Sequence, residues 1–301
     1  MDASNSSCLT FTGPVSVKRQ SDTSTLVTAR ACVILLLGLT GTGKSSFIEA
    51  LSGGNADLKI SGNTLESVTT DLTVYELVNA HFGSSKIIRP IFLIDCPGFC
   101  DDKTSEFKLV TMIQTWMKDL KRRGAIKENH IIETILYFHR ITDKRLASTQ
   151  KETLRLISSL VGDPYFYQTG LAVVTTMWDT LWSPAQVQEA EIRFTQLKEN
   201  LKGLLGPSAT QALRFDNTQN SALQIIDEAD FMCRPATTWA RAQRTLRSPP
   251  LAAFHNQKLR DAPFSAQLLH LIHERIARLE QKIRILDDDI LDARCWPGVC
   301  R

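Results

Sequence analysis

With 301 residues, 43% of them hydrophobic, the chain can bury a substantial core, as one large domain with an appendage or as two ordinary domains. A formal net charge of +3 is too small to call for nucleic acid, so no nucleic-acid partner is expected. Seven cysteines without zinc spacing, and no apolar run near the roughly 20 residues that cross a bilayer, argue against a zinc-finger or membrane-spanning protein.

In chain order, residues 1–27 are rich in Ser and Thr and lack periodicity, which predicts a disordered segment. They show no charged start followed by an apolar stretch. The ending Cys300-Arg301 is no prenylation box, and a myristoylation glycine is lacking. A reduced, cytoplasmic protein with no transmembrane segment is the expectation.

Residues 28–230 alternate short apolar runs with amphipathic stretches. Cys32–Leu37, Ile91–Ile94, Ile131–Phe138 and Leu171–Thr175 read as strands buried on both faces, and Leu72–Val78 as a further strand. Helices are predicted over Ser45–Leu51, Glu106–Leu120, Gln150–Val161, Ala185–Leu201 and Ser221–Ala229. The fold class is therefore α/β: a mostly parallel sheet with helices on both faces. Residues 231–263 read as a basic linker with Arg234, Arg241, Arg244, Arg247 and the Pro249-Pro250 break. Residues 264–301 read as an amphipathic helix. There Leu269, Ile272, Ile276, Leu279, Ile283, Leu286 and Ile290 recur in alternating steps of three and four. This seam suits either a helix folded back on the domain or a dimeric coiled coil.

The chemistry concentrates at the strand ends. Gly38-Leu39-Thr40-Gly41-Thr42-Gly43-Lys44-Ser45 matches the P-loop pattern at every fixed position, between a predicted strand and a predicted helix. Glycines let backbone N–H groups wrap a phosphate, and the helix start adds its positive end. Here Thr40, Thr42 and the three glycines would line the phosphates, and Lys44 would meet the β- and γ-phosphates. Ser45 would ligate Mg²⁺ and Ser46 would reach the α-phosphate. Asp95-Cys96-Pro97-Gly98 follows another strand, with Asp95 placed to hold Mg²⁺ and Gly98 to offer its N–H to the γ-phosphate. Within Ser67-Val68-Thr69-Thr70, Thr69 is the preferred switch threonine for the metal and the γ-phosphate.

The base is read further on. In Thr175-Thr176-Met177-Trp178-Asp179, Thr176 and Asp179 fit the guanine-reading pattern (N/T)-K-x-D, with Met177 in the lysine position. A carboxylate there accepts from guanine N1–H and the 2-amino group, which adenine lacks. Ser221-Ala222-Leu223 matches the loop whose backbone touches the base. Leu51-Ser52-Gly53-Gly54-Asn55 looks like an ABC-transporter signature but follows Lys44 too soon, and Gly53-Gly54 is expected to end the first helix.

From the P-loop to Ala222 the chain resembles the fungal G-domain-containing proteins, related to the septin, immunity-associated and chloroplast-import receptor GTPases. The resemblance rests on Leu93-Ile94-Asp95-Cys96-Pro97-Gly98-Phe99, on Tyr137-Phe138-His139-Arg140-Ile141-Thr142-Asp143, and on Val174-Thr175-Thr176-Met177-Trp178-Asp179. It implies a Ras-like P-loop domain, binding of GTP or GDP with Mg²⁺, and dimerisation across the nucleotide face. Cys96 stands where Thr is commoner and Cys100 where Asp is commoner. Phe99 takes the place where Ras-like hydrolases carry the Gln that orients water, so hydrolysis is expected to be slow or to need outside help. His139 and Arg140 are the candidates for such help in trans, against the alternative that they only pack and pair locally. Three functions stand at this point: a slow GTPase acting as a switch or assembly unit, a pseudo-GTPase scaffold working through its C-terminal helix, and an ATPase or kinase, which Asp179 disfavours.

Overall fold

The apolar runs do form strands, and their burial on both faces places them inside one sheet. The computed structural model describes residues 9–21, 26, 31–54, 58, 60, 71–84, 87–99, 104–123, 132–161, 170–205, 210–229, 258–262 and 264–294. The strands are β1 (Leu9–Gln20), β2 (Cys32–Gly38), β3 (Thr73–Ser84), β4 (Ile87–Asp95), β5 (Ile132–Arg140), β6 (Gly170–Thr176) and β7 (Thr210–Arg214). They lie in the order β1-β3-β4-β2-β5-β6-β7. β4, β2, β5, β6 and β7 run parallel, while β3 is antiparallel to both β4 and β1. This is the mixed, mostly parallel sheet of a Ras-like fold, with one further strand at its antiparallel edge.

The helices are α1 (Lys44–Leu51), α2 (Glu106–Arg122), α3 (Ser148–Val161), α4 (Pro184–Leu205), α5 (Gln219–Ala229) and α6 (Ser265–Arg294). They cover both faces because side chains alternate along each strand. Val33, Leu35 and Leu37 of β2 point to the face packed by α2, α3, α4 and the start of α6. Cys32, Ile34 and Leu36 point to the face packed by α1 and α5, which Leu9 and Val17 of β1 extend. Among the described residues, no helix is long and apolar enough to cross a membrane.

Two expectations change. Residues 9–20, inside the segment expected to be disordered, form a strand. Backbone pairing with β3 carries it, from Leu9 opposite Phe82 to Gln20 opposite Val74, with a register shift between Phe11 and Ser16. Asn79, at φ 63, donates its side-chain amide to the Pro14 carbonyl across that irregularity (2.7 Å). The C-terminal helix, in turn, divides along its length. Phe264, Leu268 and Leu271 at its root are buried in the core, whereas the seam residues from Ile276 onward are exposed. Most of the expected linker, residues 231–257, lies outside the described residues; Leu259–Asp261 form a short 3-10 turn leading into α6.

Candidate functional site

Parallel strands bring their carboxyl ends to one edge of the sheet, the edge where open α/β folds bind ligands. β2 ends at Gly38 beside Phe138 of β5, Leu36 of β2 pairs with Asp95 of β4, and Arg140 of β5 pairs with Thr176 of β6. The loop from Gly38 to Gly43 leaves the central strand here. Gly43 caps α1 in a left-handed conformation, φ 86, which a side chain would strain. Lys44 opens the helix, and the first turn carries no acidic residue to oppose its positive end. The Lys44 side chain is buried and folds back over the loop. Its ammonium donates to the carbonyls of Leu39 (3.0 Å) and Gly38 (3.4 Å). The Thr42 hydroxyl donates to the Leu39 carbonyl (2.8 Å), so the loop is shaped by its own threonine.

Asp95 meets this loop from the neighbouring strand. The Ser45 hydroxyl donates to its Oδ2 at 3.4 Å, and Asp95 is buried. A hydroxyl and a carboxylate side by side are hard oxygen donors, the set Mg²⁺ takes, so the residues fit that ion. The electrostatics around Asp95 are consistent. Burial, and then the Asp95 charge, pushes the Tyr75 hydroxyl up to about 12; burial with Asp95 likewise raises the Cys96 thiol well above its usual range. Both groups therefore stay protonated near neutral pH.

Gly98 lies directly on the P-loop. A β-carbon there would stand 2.3 Å from Thr40 Oγ1 and 2.4 Å from the Thr40 amide nitrogen. The Phe99 amide donates to the Gly38 carbonyl (2.9 Å), and Leu39 and Phe99 form an isolated parallel bridge. The Asp95–Phe99 segment is thus stitched to the phosphate loop. Phe99 itself is 2% exposed and packs in the core with Leu109 and Val110 of α2. Its side chain offers no polar group to the loop.

The end expected to read the base is built around Thr176. Its buried hydroxyl donates to the Thr42 carbonyl (2.9 Å), tying β6 to the P-loop. Met177 adopts a left-handed conformation, φ 63, and starts the 3-10 turn Trp178–Thr180. Trp178 is buried, donates its indole N–H to the Thr175 hydroxyl (3.0 Å) and lies under the Arg214 guanidinium, 4.1 Å from the ring centre. With Trp178 fixed, Asp179 projects into solvent, where the Asn217 side-chain amide donates to its Oδ2 (2.8 Å).

Asn217 is the residue that sequence reasoning missed. Sequence matching put the second base-contacting loop at Ser221 and Ala222, but both lie inside the first turn of α5. The Ala222 amide donates to the Thr218 carbonyl (3.0 Å), a bond within the helix that leaves it no hydrogen for a base. The Ser221 hydroxyl accepts from the Asp216 amide (3.2 Å) and closes the preceding turn. The loop beside Asp179 is Asp216-Asn217-Thr218, held by Ser221 from behind. A signal was available: Asn217, at φ 56, sits between a strand and a helix, where left-handed turns favour Asn.

His139 also moves. Its ring is buried, 5% exposed, with Nδ1 lacking a hydrogen-bond partner among the described residues, so it is not presented to a second molecule. Burial lowers its pKa, with Asp143 opposing and Arg140 adding to the shift. Arg140 is partly exposed and ion-pairs with Asp143 at 3.2 Å. Thr69 and the rest of its stretch fall outside the described residues.

Residues 33–162, from the first buried strand through Asp95 to α3, match the family model described as a 50S ribosome-binding GTPase. Over those residues, fewer than half of its length, the chain is similar to a GTPase domain. The chain is also similar to solved structures. One is Toc33 from Arabidopsis thaliana in complex with Mg²⁺ and GMPPNP, at 14% identity and TM-score 0.42, covering 76% of this chain and 85% of that one. Another comes from work on dimerisation and GTPase activity of the chloroplast translocon components atToc33 and psToc159, at 12% identity and TM-score 0.43, covering 69% and 86%. A third is the bacterial selenocysteine-specific elongation factor EF-Sec, at 12% identity and TM-score 0.39, covering 67% and 29%. No curated protein matches the chain.

Proposed function

We propose that this GTPase domain binds GTP and GDP with Mg²⁺, hydrolyses GTP slowly, and serves as a nucleotide-dependent switch or assembly unit in a reduced, cytoplasmic setting. The observation that carries the reading is the convergence of three elements on one sheet edge. Lys44 and the glycine loop offer a cradle for phosphates, Ser45 beside Asp95 offers a metal position, and Asp179 with Asn217 offers a carboxylate for the base. Mg²⁺, when bound, would neutralise phosphate charge at Ser45 and Asp95. Lys44 would turn its ammonium from loop carbonyls to phosphate oxygens, and Gly98 would bring backbone against the same loop without a side chain in the way.

The slow rate follows from Phe99. A buried aromatic ring orients no water, so turnover near intrinsic Ras values, about 10⁻⁴ to 10⁻³ s⁻¹, is the expectation for the isolated monomer. Acceleration would need a group from outside, and in a pairing across the nucleotide face Arg140 is the more exposed of the two candidates. The same ring supports a second reading, a pseudo-GTPase scaffold that holds nucleotide and acts through α6. Calorimetric titration with GDP tests the binding; a Lys44→Ala variant that keeps wild-type affinity would sink it. Single-turnover phosphate release over a protein concentration series then separates the two readings. Slow release that rises with concentration supports the switch, and none at any concentration supports the scaffold.

A further inference from the structure

α6 is 30 residues long, and only its root belongs to the core. Phe264, Leu268 and Leu271 are buried, and Arg275 reaches the Thr104 carbonyl (3.2 Å). Beyond that point Ile276, Leu279, Ile283, Leu286 and Ile290 are all exposed, Ile283 by 57%. Residues 276–294 alone extend about 28 Å. The exposed seam lies beyond the docked root 264–268–271–275 along the helix axis, so covering the seam requires no undocking of the root.

We propose that the distal half of α6 pairs with the same helix of a second copy, as a parallel two-stranded coiled coil. The seam has the required 3.5-residue repeat, with Ile276, Ile283 and Ile290 at the first core position of the heptad and Leu279 and Leu286 at the second. β-branched residues at the first position with leucine at the second favour two parallel strands. The flanking charges agree. In a parallel pair Lys282 faces Asp287 of the second copy, five residues on, and symmetry repeats this attraction on the other side. An antiparallel pair would instead bring Glu280 toward Asp287, like against like. The acid run Asp287-Asp288-Asp289 also opposes an anionic lipid surface, where an amphipathic helix needs basic flanks. The docked root supplies the first turns, so the pairing does not have to nucleate a short helix from coil. The inference stands on the helix alone, and loss of nucleotide binding would leave it untouched.

The test is sedimentation of the full chain without nucleotide, from low to high micromolar concentration. A monomer–dimer equilibrium is expected. Ile283→Lys, at an exposed position, should weaken it at least tenfold with an unchanged circular dichroism spectrum. Lys282→Asp and Asp287→Lys should each weaken it several-fold by setting like charges face to face, and the double variant should recover to within a few-fold of wild type. A chain that stays monomeric throughout overturns the proposal, and so does a dimer that survives Ile283→Lys. A double variant no better than the single ones overturns the parallel arrangement. Sedimentation with phosphatidylserine vesicles in place of self-association would assign the seam to lipid and overturn it as well.

Discussion

Arg275 of the C-terminal helix lies over Glu106 in the first turn of α2, with Nη1 3.5 Å from the carboxylate and 3.2 Å from the Thr104 carbonyl. The Glu106 side chain is fully buried and that of Arg275 is 21% exposed. The pair therefore joins the last element of the chain to the helix that follows the Asp95–Phe99 segment.

Removing the cation should loosen both ends. Arg275→Met keeps the stem and leaves the Glu106 carboxylate short of one partner, at a cost of about 1–3 kcal/mol. A lower urea midpoint and faster proteolysis near the root of α6 are expected. Arg275→Lys should recover part of the loss, because a point charge meets the carboxylate but not the planar fork.

Gly98 predicts a steric result. Ala at 98 would drive its β-carbon into Thr40, so the P-loop and the Asp95–Phe99 segment could not both keep their places. Nucleotide affinity should fall more than tenfold together with the melting temperature. Gly41→Ala is the control, since a β-carbon there meets nothing within 4 Å and carries only the strain of φ 75, about 1 kcal/mol. Calorimetry and thermal unfolding of both variants measure the difference.

At the base end, the hydrogen bond from Asn217 to Asp179 separates orientation from recognition. Asn217→Gly keeps the left-handed turn but frees the carboxylate, and should weaken GTP binding roughly tenfold without changing which nucleotide is preferred. Asp179→Asn should instead change the preference toward xanthosine triphosphate, whose 2-oxygen suits an amide donor. Competition of the two nucleotides against a fluorescent analogue reads both outcomes.

His139 makes acid the weak side of the domain. Burial favours the neutral ring, so the folded-state pKa lies below the unfolded value of about 6.5. Below that pH the unfolded chain takes up a proton that the native chain resists, so this contribution to stability is intact above about 6.5 and is lost as pH falls toward the folded pKa. Urea midpoints of wild type should drop between pH 7.5 and 5.5 by more than those of His139→Gln, which cannot titrate. Equal slopes would assign the acid sensitivity to another group.

Strands with two buried faces were legible because nearly every residue in them is apolar, as in Cys32–Leu37 and Leu171–Thr175. β1 was not, because an edge strand in Leu9–Gln20 buries chiefly Leu9 and Val17 and is interrupted by Gly13-Pro14. β7 is five residues with a polar start, too short for any periodicity. The Gly38–Ser45 loop and Asp95, singled out by spacing, do lie side by side, because each sits at the end of a parallel strand on the same sheet edge. Ser221-Ala222 matches a base-loop motif in composition, but composition does not show where a helix begins, and α5 takes up the Ala222 amide. Asn217 acts through a hydrogen bond to a residue 38 positions earlier, a proximity that single-chain spacing cannot reveal.

The position of β1 sets an order on biosynthesis. Its first residue, Leu9, donates its amide to Asp227 of α5, 218 positions away (2.9 Å). At about 5–20 residues per second, that partner leaves the ribosome on the order of ten to forty seconds after Leu9 itself. Until then the Leu9 amide lacks this partner, and β1 is held in the sheet by its backbone pairing with β3 alone. A nascent chain stalled before α5 should therefore hold β1 on the sheet without its tie to the helix on that face.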